Sequence, residues 1–336
     1  MDKQLQKQAI YQKLIDTIGF TIESARLRAI QAVNSELLKA NWEIGRYIVE
    51  YEQHGNEKAE YGSSLLTILA KDLKTRFGKG FSKSNIYLMR QFYLKYQIFQ
   101  SVTGKLTWTH YAELLGVSDD NARGFYEKQA INENWSVREL KRQINSSLFE
   151  RLALSQDKEG VLRLAEQGQI IAEPKDIVKD PYVLEFLQIP SEHRMTESNL
   201  EQRIINNLQT FLLELGKGFS FVGRQYRLTL DNDHYYVDLV FYHRILKCFV
   251  LIDLKTKHVK HQDIGQMNMY LNYFKAEENT EGDNPPIGIV LGADKNDILV
   301  EYAIGGISNN IFVSKYQLYL PDKKVLVEKV KEMITE

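Results

Sequence analysis

Two textures of hydrophobic spacing divide the chain. Through about residue 148, apolar positions recur with a period near 3.6, as in Ile30, Val33, Leu37 and Leu38 and then Ile44, Tyr47 and Ile48, which predicts helices. Ser136 with Glu139, in WSVREL, is spaced as a capping box opening a further helix. GNEKAEYG, FGKGFS and GVSDDNARG read as connections. There is no internal repeat, low-complexity tract or heptad run. Residues 151–195 break the pattern and carry three of the six prolines, Pro174, Pro181 and Pro190, so a hinge is expected there, with a short helix at VLEFL. From 196 a helix is expected over TESNLEQRIINNLQTFLLELG, with Gly216 at its C′ position. Three strand-like runs follow, FSFVGRQYRLTL, HYYVDLVFYH and KCFVLIDLKT, separated by DND and HRIL. A helix near 261–275, a buried strand PIGIVLG, a strand near IFVSKYQLYL and a terminal helix complete the chain. The expectation is a helical domain over 1–150, a linker over 151–195, and an α/β domain over 196–336 with the order α-β-β-β-α-β and a mixed sheet.

Composition narrows the class. At 336 residues, with 43% hydrophobic and 26% charged side chains, the chain has enough apolar mass for real cores. No apolar stretch reaches a membrane-spanning length, and the N-terminus lacks the apolar core of a secretory signal, so no membrane partner is expected. The single cysteine, Cys248, excludes an internal disulfide framework and a cysteine zinc cluster, and points to the reducing cytoplasm. Lys plus Arg is 43 against 44 acids, so any nucleic-acid binding must come from local patches. His258 and His261, three apart, can reach one metal but form neither H-x-H nor H-E-x-x-H and read as surface histidines beside a basic loop, and neither Gly-Lys-Gly continues into a nucleotide-binding P-loop.

The chemistry concentrates in the second half. Asp253 and Lys255 lie two apart on a strand and share a face with Phe249 and Leu251, while Val250, Ile252 and Leu254 line the other. A carboxylate and an ammonium at the end of an interior strand are desolvated, which is costly unless they pair or bind an ion. Asp238, on the preceding strand of the same hairpin, is expected on the face of Val240 and Tyr242, opposite Val237, Leu239 and Phe241. Two acids so close repel unless a cation lies between them, and hard oxygen donors suit Mg²⁺. Glu201 falls on the apolar arc of its helix, as does Glu197, but Ser198 and Glu201 are also spaced as a capping box. Gln266 and Tyr270 share a helix face, and Tyr270 also fits as an amphipathic contact.

Together these residues resemble the PD-(D/E)XK nuclease superfamily, whose restriction-endonuclease-like core has this element order. Asp238 matches the acid of the second strand and Asp253-Leu254-Lys255 the (D/E)-x-K of the third. Glu201 matches the helix glutamate, and Gln266 with Tyr270 a Q-x-x-x-Y motif. The proline that leads the motif is replaced by Val237. Longer stretches, LEQRIINNLQTFLLELGKGFSFVGRQYRL and VDLVFYHRILKCFVLIDLKT among them, are similar to the YhcG-like family, with its N-terminal helical companion domain. The resemblance implies phosphodiester hydrolysis, most naturally of DNA, with Mg²⁺ or Mn²⁺ held by Asp238, Asp253 and Glu201. Lys255 would serve the attacking water and the phosphate, and Gln266 and Tyr270 would position them. Arg224 and Gln225 would steady the phosphate or the helix glutamate, and an exposed strand arginine equally fits a solvated surface residue.

Basic residues add two candidate nucleic-acid contacts. Lys257 and Lys260 follow the motif strand and form either a phosphate track or a solvated loop. Residues 71–96 carry seven Lys or Arg, including Lys79, Lys83 and Arg90, interleaved with aromatics that build either a DNA-docking face or a small core. The competing readings are a nuclease-like protein that binds nucleic acid or protein without cutting, and a homo-oligomeric scaffold.

Overall fold

In the computed structural model the residues described are 2–54, 64–99, 102–154, 157–190, 196–295 and 310–335. The connection expected at GNEKAEYG lies outside them. The elements in chain order are α1 (Asp2–His54), α2 (Leu65–Phe77), α3 (Lys83–Lys95), α4 (Trp108–Leu115), α5 (Asp120–Glu133), α6 (Val137–Asn145), α7 (Leu148–Ala153) and α8 (Lys158–Gln167). They continue as β1 (Tyr182–Val183), α9 (Glu197–Asn206), α10 (Leu208–Leu215), β2 (Phe219–Leu230), β3 (Asp233–His243), β4 (Cys248–His258), α11 (His261–Tyr273), β5 (Ile287–Asp294), β6 (Ile311–Gln317) and α12 (Lys323–Thr335). Two compact units form, one from residues 1–123 with 134–140, the other from 124–133 with 141–336.

The first unit is helical. Its core is aromatic: Phe92 is fully buried, and its ring centroid lies 5.1 Å from Tyr111 and 5.3 Å from Trp108. The Ser136–Glu139 capping box forms, the Ser136 amide donating to Glu139 Oε2 at 2.6 Å and the Glu139 amide to Ser136 Oγ at 3.3 Å. Along α1, Leu38 and Ile48 are buried, whereas Ile30, Val33, Leu37 and Tyr47 are exposed.

The second unit is a six-stranded mixed sheet in the order β1-β6-β5-β4-β3-β2, with β2, β3 and β4 antiparallel and β4, β5, β6 and β1 parallel. One face packs Leu239, Phe241, Val250, Ile252 and Leu254 against α9 and α10 through Leu200, Ile204, Phe211 and Leu215. The other packs Val237, Val240, Leu251 and Val290 against α11 through Ile264, Met267, Tyr270 and Leu271. Gly288 lets α11 lie close on β5, because a Cβ there would come within 2.5 Å of Met267. The β2–β3 hairpin turns through Asp231 and Asn232, both left-handed as a two-residue hairpin loop requires.

Three expectations need correction. The helix expected over 196–216 is two helices, because Asn207 leaves helical geometry (φ −120°, ψ 28°); its amide nitrogen Nδ2 donates to the Arg203 carbonyl, ending α9, while its own carbonyl accepts the first amides of α10. The expected hinge at 151–195 is, where described, part of the second unit: α8 forms, β1 adds to the sheet beside β6, and Tyr182, Leu184, Leu187 and Ile189 enter the core. Apolar residues between the prolines outweighed the breakers. Val237 does not share the face of Leu239 and Phe241 but packs with Val240 on the α11 side. Gln225, opposite this stretch, is left-handed (φ 46°), and the β2–β3 pairing continues across it in constant register, the one shift of that ladder lying between Phe221 and Gly223.

A buried ionic knot lies in the same unit. Glu214, fully buried on α10, receives Arg151 Nη1 at 2.7 Å, Arg142 Nη1 at 3.2 Å and the Val183 amide at 2.9 Å. Arg151 also donates to the Pro181 carbonyl at 2.9 Å, and Lys179 to the Glu214 carbonyl. This knot fixes β1 and α10 to α6 and α7.

Candidate active site

The ladder between β3 and β4 runs from His243 opposite Cys248 to Leu239 opposite Ile252 and then stops. One residue further along β3, Asp238 Oδ2 accepts the Leu254 amide at 2.7 Å, where a strand carbonyl would otherwise accept it. The strands therefore fork at Asp238, and Leu254 stands between Asp253 and Lys255. The hairpin brings all three motif residues to one place, which alternation alone could not guarantee.

Asp253 is 4% exposed. Burial pushes its carboxyl up to about 7, aided by the charge of Asp238 and opposed by Lys255. Lys255 Nζ lies 2.8 Å from Asp253 Oδ2 and 3.9 Å from Asp263 Oδ1. Oδ2 of Asp253 makes that ion contact but no directed hydrogen bond. For Lys255, burial alone would lower the ammonium, but Asp253, with Glu197 and Asp263, holds it above the ordinary lysine value.

Glu201 is buried and is not a cap. Thr196 caps α9, its hydroxyl accepting from the Asn199 amide, so the Ser198–Glu201 capping alternative is withdrawn. The Glu201 carboxylate instead accepts Gln225 Nε2 at 2.6 Å, and the same nitrogen donates to Asp238 Oδ1 at 3.0 Å. Burial raises the Glu201 carboxyl, Gln225 opposes, and Asp238 adds to the rise. Gln225 thus joins two acids by one amide group, made possible by its left-handed backbone. Arg224 donates to Gln202 Oε1 at 2.8 Å, and its charge also opposes the rise of the Glu201 carboxyl.

Tyr270 is buried, and its hydroxyl donates to the Tyr236 carbonyl at 3.0 Å, two residues before Asp238. Burial, then Asp253 and Asp238, push the phenol up to about 12, while a Gln266 side-chain hydrogen bond opposes. Lys257 and Lys260 are exposed beyond the fork. Asp263, which sequence reasoning did not single out, accepts the Lys260 amide at 2.7 Å and faces Lys255; its signal was an acid three residues into a helix. In the first unit, Lys79 and Lys83 are exposed at the α2–α3 turn, whereas Arg90 pairs with Glu52 at 2.8 Å.

The donor set suits a hard divalent cation: carboxylate oxygens of Asp238, Asp253 and Glu201 on adjoining elements, one of them buried with an unsatisfied oxygen. In this conformation no group of three His, Cys, Asp or Glu residues is gathered as a ligand set among the described residues.

No helix among the described residues is long and apolar enough to cross a membrane. Residues 175–332 match the family described as the YhcG PDDEXK nuclease domain, and residues 17–151 the DUF1016 N-terminal domain. The chain is 40% identical to "Putative nuclease YhcG" of Escherichia coli (strain K12), over 95% of this chain and 93% of that one. Among solved structures, a repair endonuclease from Pyrococcus abyssi is similar at 16% identity and a TM-score of 0.28, over 39% of this chain and 50% of that one. An EndoMS–dsDNA2 complex is similar at 14% identity and a TM-score of 0.26, over 40% and 51%. These two likenesses are too slight to carry any argument about activity. The family match over the forked hairpin, and the relative that spans nearly the whole chain, settle membership: the chain belongs to the YhcG family of PDDEXK nucleases, with its DUF1016 helical domain preceding the nuclease domain.

Proposed function

We propose that the second unit hydrolyses phosphodiester bonds of DNA with Mg²⁺ or Mn²⁺, through Asp238, Asp253 and Lys255 with Glu201 assisting. The observation that carries this reading is the fork, where the three motif residues meet beside a buried carboxyl. Asp238, Asp253 and Glu201 would hold the cation. When bound, it would polarise the phosphate and acidify a water. Lys255 donates toward the anionic oxygens and orients the water beside Asp253. Gln225, the shared donor to Glu201 and Asp238, would hold those two acids side by side for the cation. Tyr270, with Gln266 behind it, holds the β3 backbone at Tyr236 and so fixes Asp238. Lys257 and Lys260 supply positive charge along the strand leaving the fork, and Lys79 and Lys83 of the first unit contact the nucleic-acid backbone. The test is cleavage of supercoiled, linear, single-stranded and branched DNA, and of RNA, with Mg²⁺, Mn²⁺ or EDTA. Metal-dependent cutting that Asp253→Ala abolishes is expected; equal cutting by both proteins rejects the assignment.

One observation bears on a second reading, binding without cleavage: Gln225 donates to both Glu201 and Asp238, and Lys255 pairs with Asp253, so all three acids have protein partners. Metal-independent DNA binding with no cutting under any of these conditions would support it.

A further inference from the structure

Helix α1 is 53 residues long, and over residues 11–33 it is largely exposed. Leu38, Gly45 and Val49 are buried. At 100° per residue, Tyr11, Leu14, Ile15, Ile18, Ile22 and Val33 lie on the opposite side of the helix, roughly 180° away. Each is at least 44% exposed. Ala25, Ala29 and Ala32 share this stripe and are also exposed. Tyr11, Ile15, Ile18, Ile22, Ala25, Ala29 and Ala32 alternate spacings of four and three, the signature of a coiled-coil seam. The expectation of no heptad run is therefore corrected; extra apolar residues around the helix, such as Phe20 and Leu27, masked the seam.

We propose that this stripe pairs two copies of the chain as an antiparallel helix pair. The seam is large at one end and small at the other. Run antiparallel, it sets Ile15 against Ala32, Ile18 against Ala29 and Ile22 against Ala25, and each of these layers then holds one large and one small side chain, with Tyr11 meeting Glu36 where the seam ends. Run parallel, isoleucines meet isoleucines and alanines meet alanines, which crowds one end and leaves gaps at the other. Flanking charge is compatible with the antiparallel register: Arg26 meets Gly19 and Arg28 meets Thr21 of the second copy, with no like charges opposed. At roughly 100 Å² for each large side chain and less for each alanine, the stripe offers on the order of 700 Å² per copy. A standard stable interface buries about 800 Å² per partner, so one such pairing nearly suffices.

The test uses the full chain, whose sole native cysteine, Cys248, is buried. Light scattering at about 10 µM should give a dimer. Ile18→Glu places charge in the seam and should weaken the dimer by at least about 100-fold, while Leu27→Glu, off the seam, leaves it intact. Unchanged tryptophan fluorescence checks that each variant remains folded. Oxidation should join Ile15→Cys chains to Ala32→Cys chains but not Ile15→Cys chains to one another, since antiparallel copies hold those positions about 25 Å apart. This readout does not depend on whether the Glu variants fold. A monomeric wild type, an Ile18→Glu protein that stays dimeric while folded, or Ile15→Cys self-linkage as efficient as the mixed linkage would each overturn the proposal.

Discussion

Replacing Glu214 by Gln removes one charge from the ionic knot while keeping the side chain's shape. Burial alone would raise this carboxyl; the charges of Arg151, Lys179 and Arg142 overrule it and hold it at about 2 instead of the ordinary 4.5. A carboxyl so depressed contributes about 3 kcal/mol at neutral pH, in line with the roughly 3–5 kcal/mol lost when one member of a buried pair is removed. Arg151, almost wholly buried, would keep its charge without its partner. For a unit of this size, about 3 kcal/mol corresponds to a midpoint roughly 6–12 °C lower. The pH dependence has a definite sign. The stabilisation is fully present above the unfolded carboxyl's 4.5 and is lost as pH falls toward about 2, so the gap between wild type and Glu214→Gln should narrow across that window. Far-UV circular dichroism follows both units, whereas all three tryptophans, Trp42, Trp108 and Trp135, lie in the first. The second unit's transition should therefore shift in circular dichroism without a matching shift in fluorescence. An unchanged midpoint, or a gap that persists at pH 2.5, would refute the reasoning.

Other expectations concern the site and the first unit. Asp253→Asn should lower Mg²⁺-dependent cleavage by at least about 100-fold and weaken Mn²⁺ binding by calorimetry while the melting curve is preserved; unchanged metal binding would remove Asp253 from the ligand set. Gln225→Ala takes away the shared donor of Glu201 and Asp238, so the metal-free protein should lose about 1 kcal/mol and gain more than wild type in thermal shift on adding Mg²⁺; no difference in that gain would count against the bridge. Tyr270→Phe should cost about 1 kcal/mol and reduce kcat with little change in KM, and a pure stability effect would show that the phenol merely fills the core. Lys79→Glu with Lys83→Glu should weaken DNA binding at low salt and flatten its salt slope by about 2, whereas an unaltered slope would place the contact elsewhere.

Where the candidate residues sit was partly legible in the sequence, because strand alternation and hairpin length carry definite geometry. Asp253, Lys255 and the flanking apolar residues sit as two-residue spacing requires, and the capping box at Ser136 formed as written. What was hidden depended on contacts between distant segments. Glu201 looked equally like a cap until Thr196 took that role and Gln225, from another element, reached it. The left-handed turn at Gln225 has no local signature, since only a tertiary arrangement holds a glutamine there. Residues 151–195 looked like a hinge because prolines are conspicuous and the partners of Glu214 are spread from residue 142 to 183. Arg90 reads as a basic contact in sequence, but its partner Glu52 lies on a separate helix.

The amide of Leu254 that ends on Asp238 makes this acid a wedge as well as a charge. Without its oxygen, nothing keeps β3 and β4 from zipping further, and the cleft between them would narrow. An alanine at 238 would thus report a change of shape under the guise of lost chemistry. Asparagine, which keeps an acceptor for that amide while surrendering the negative charge, is the substitution that separates the two.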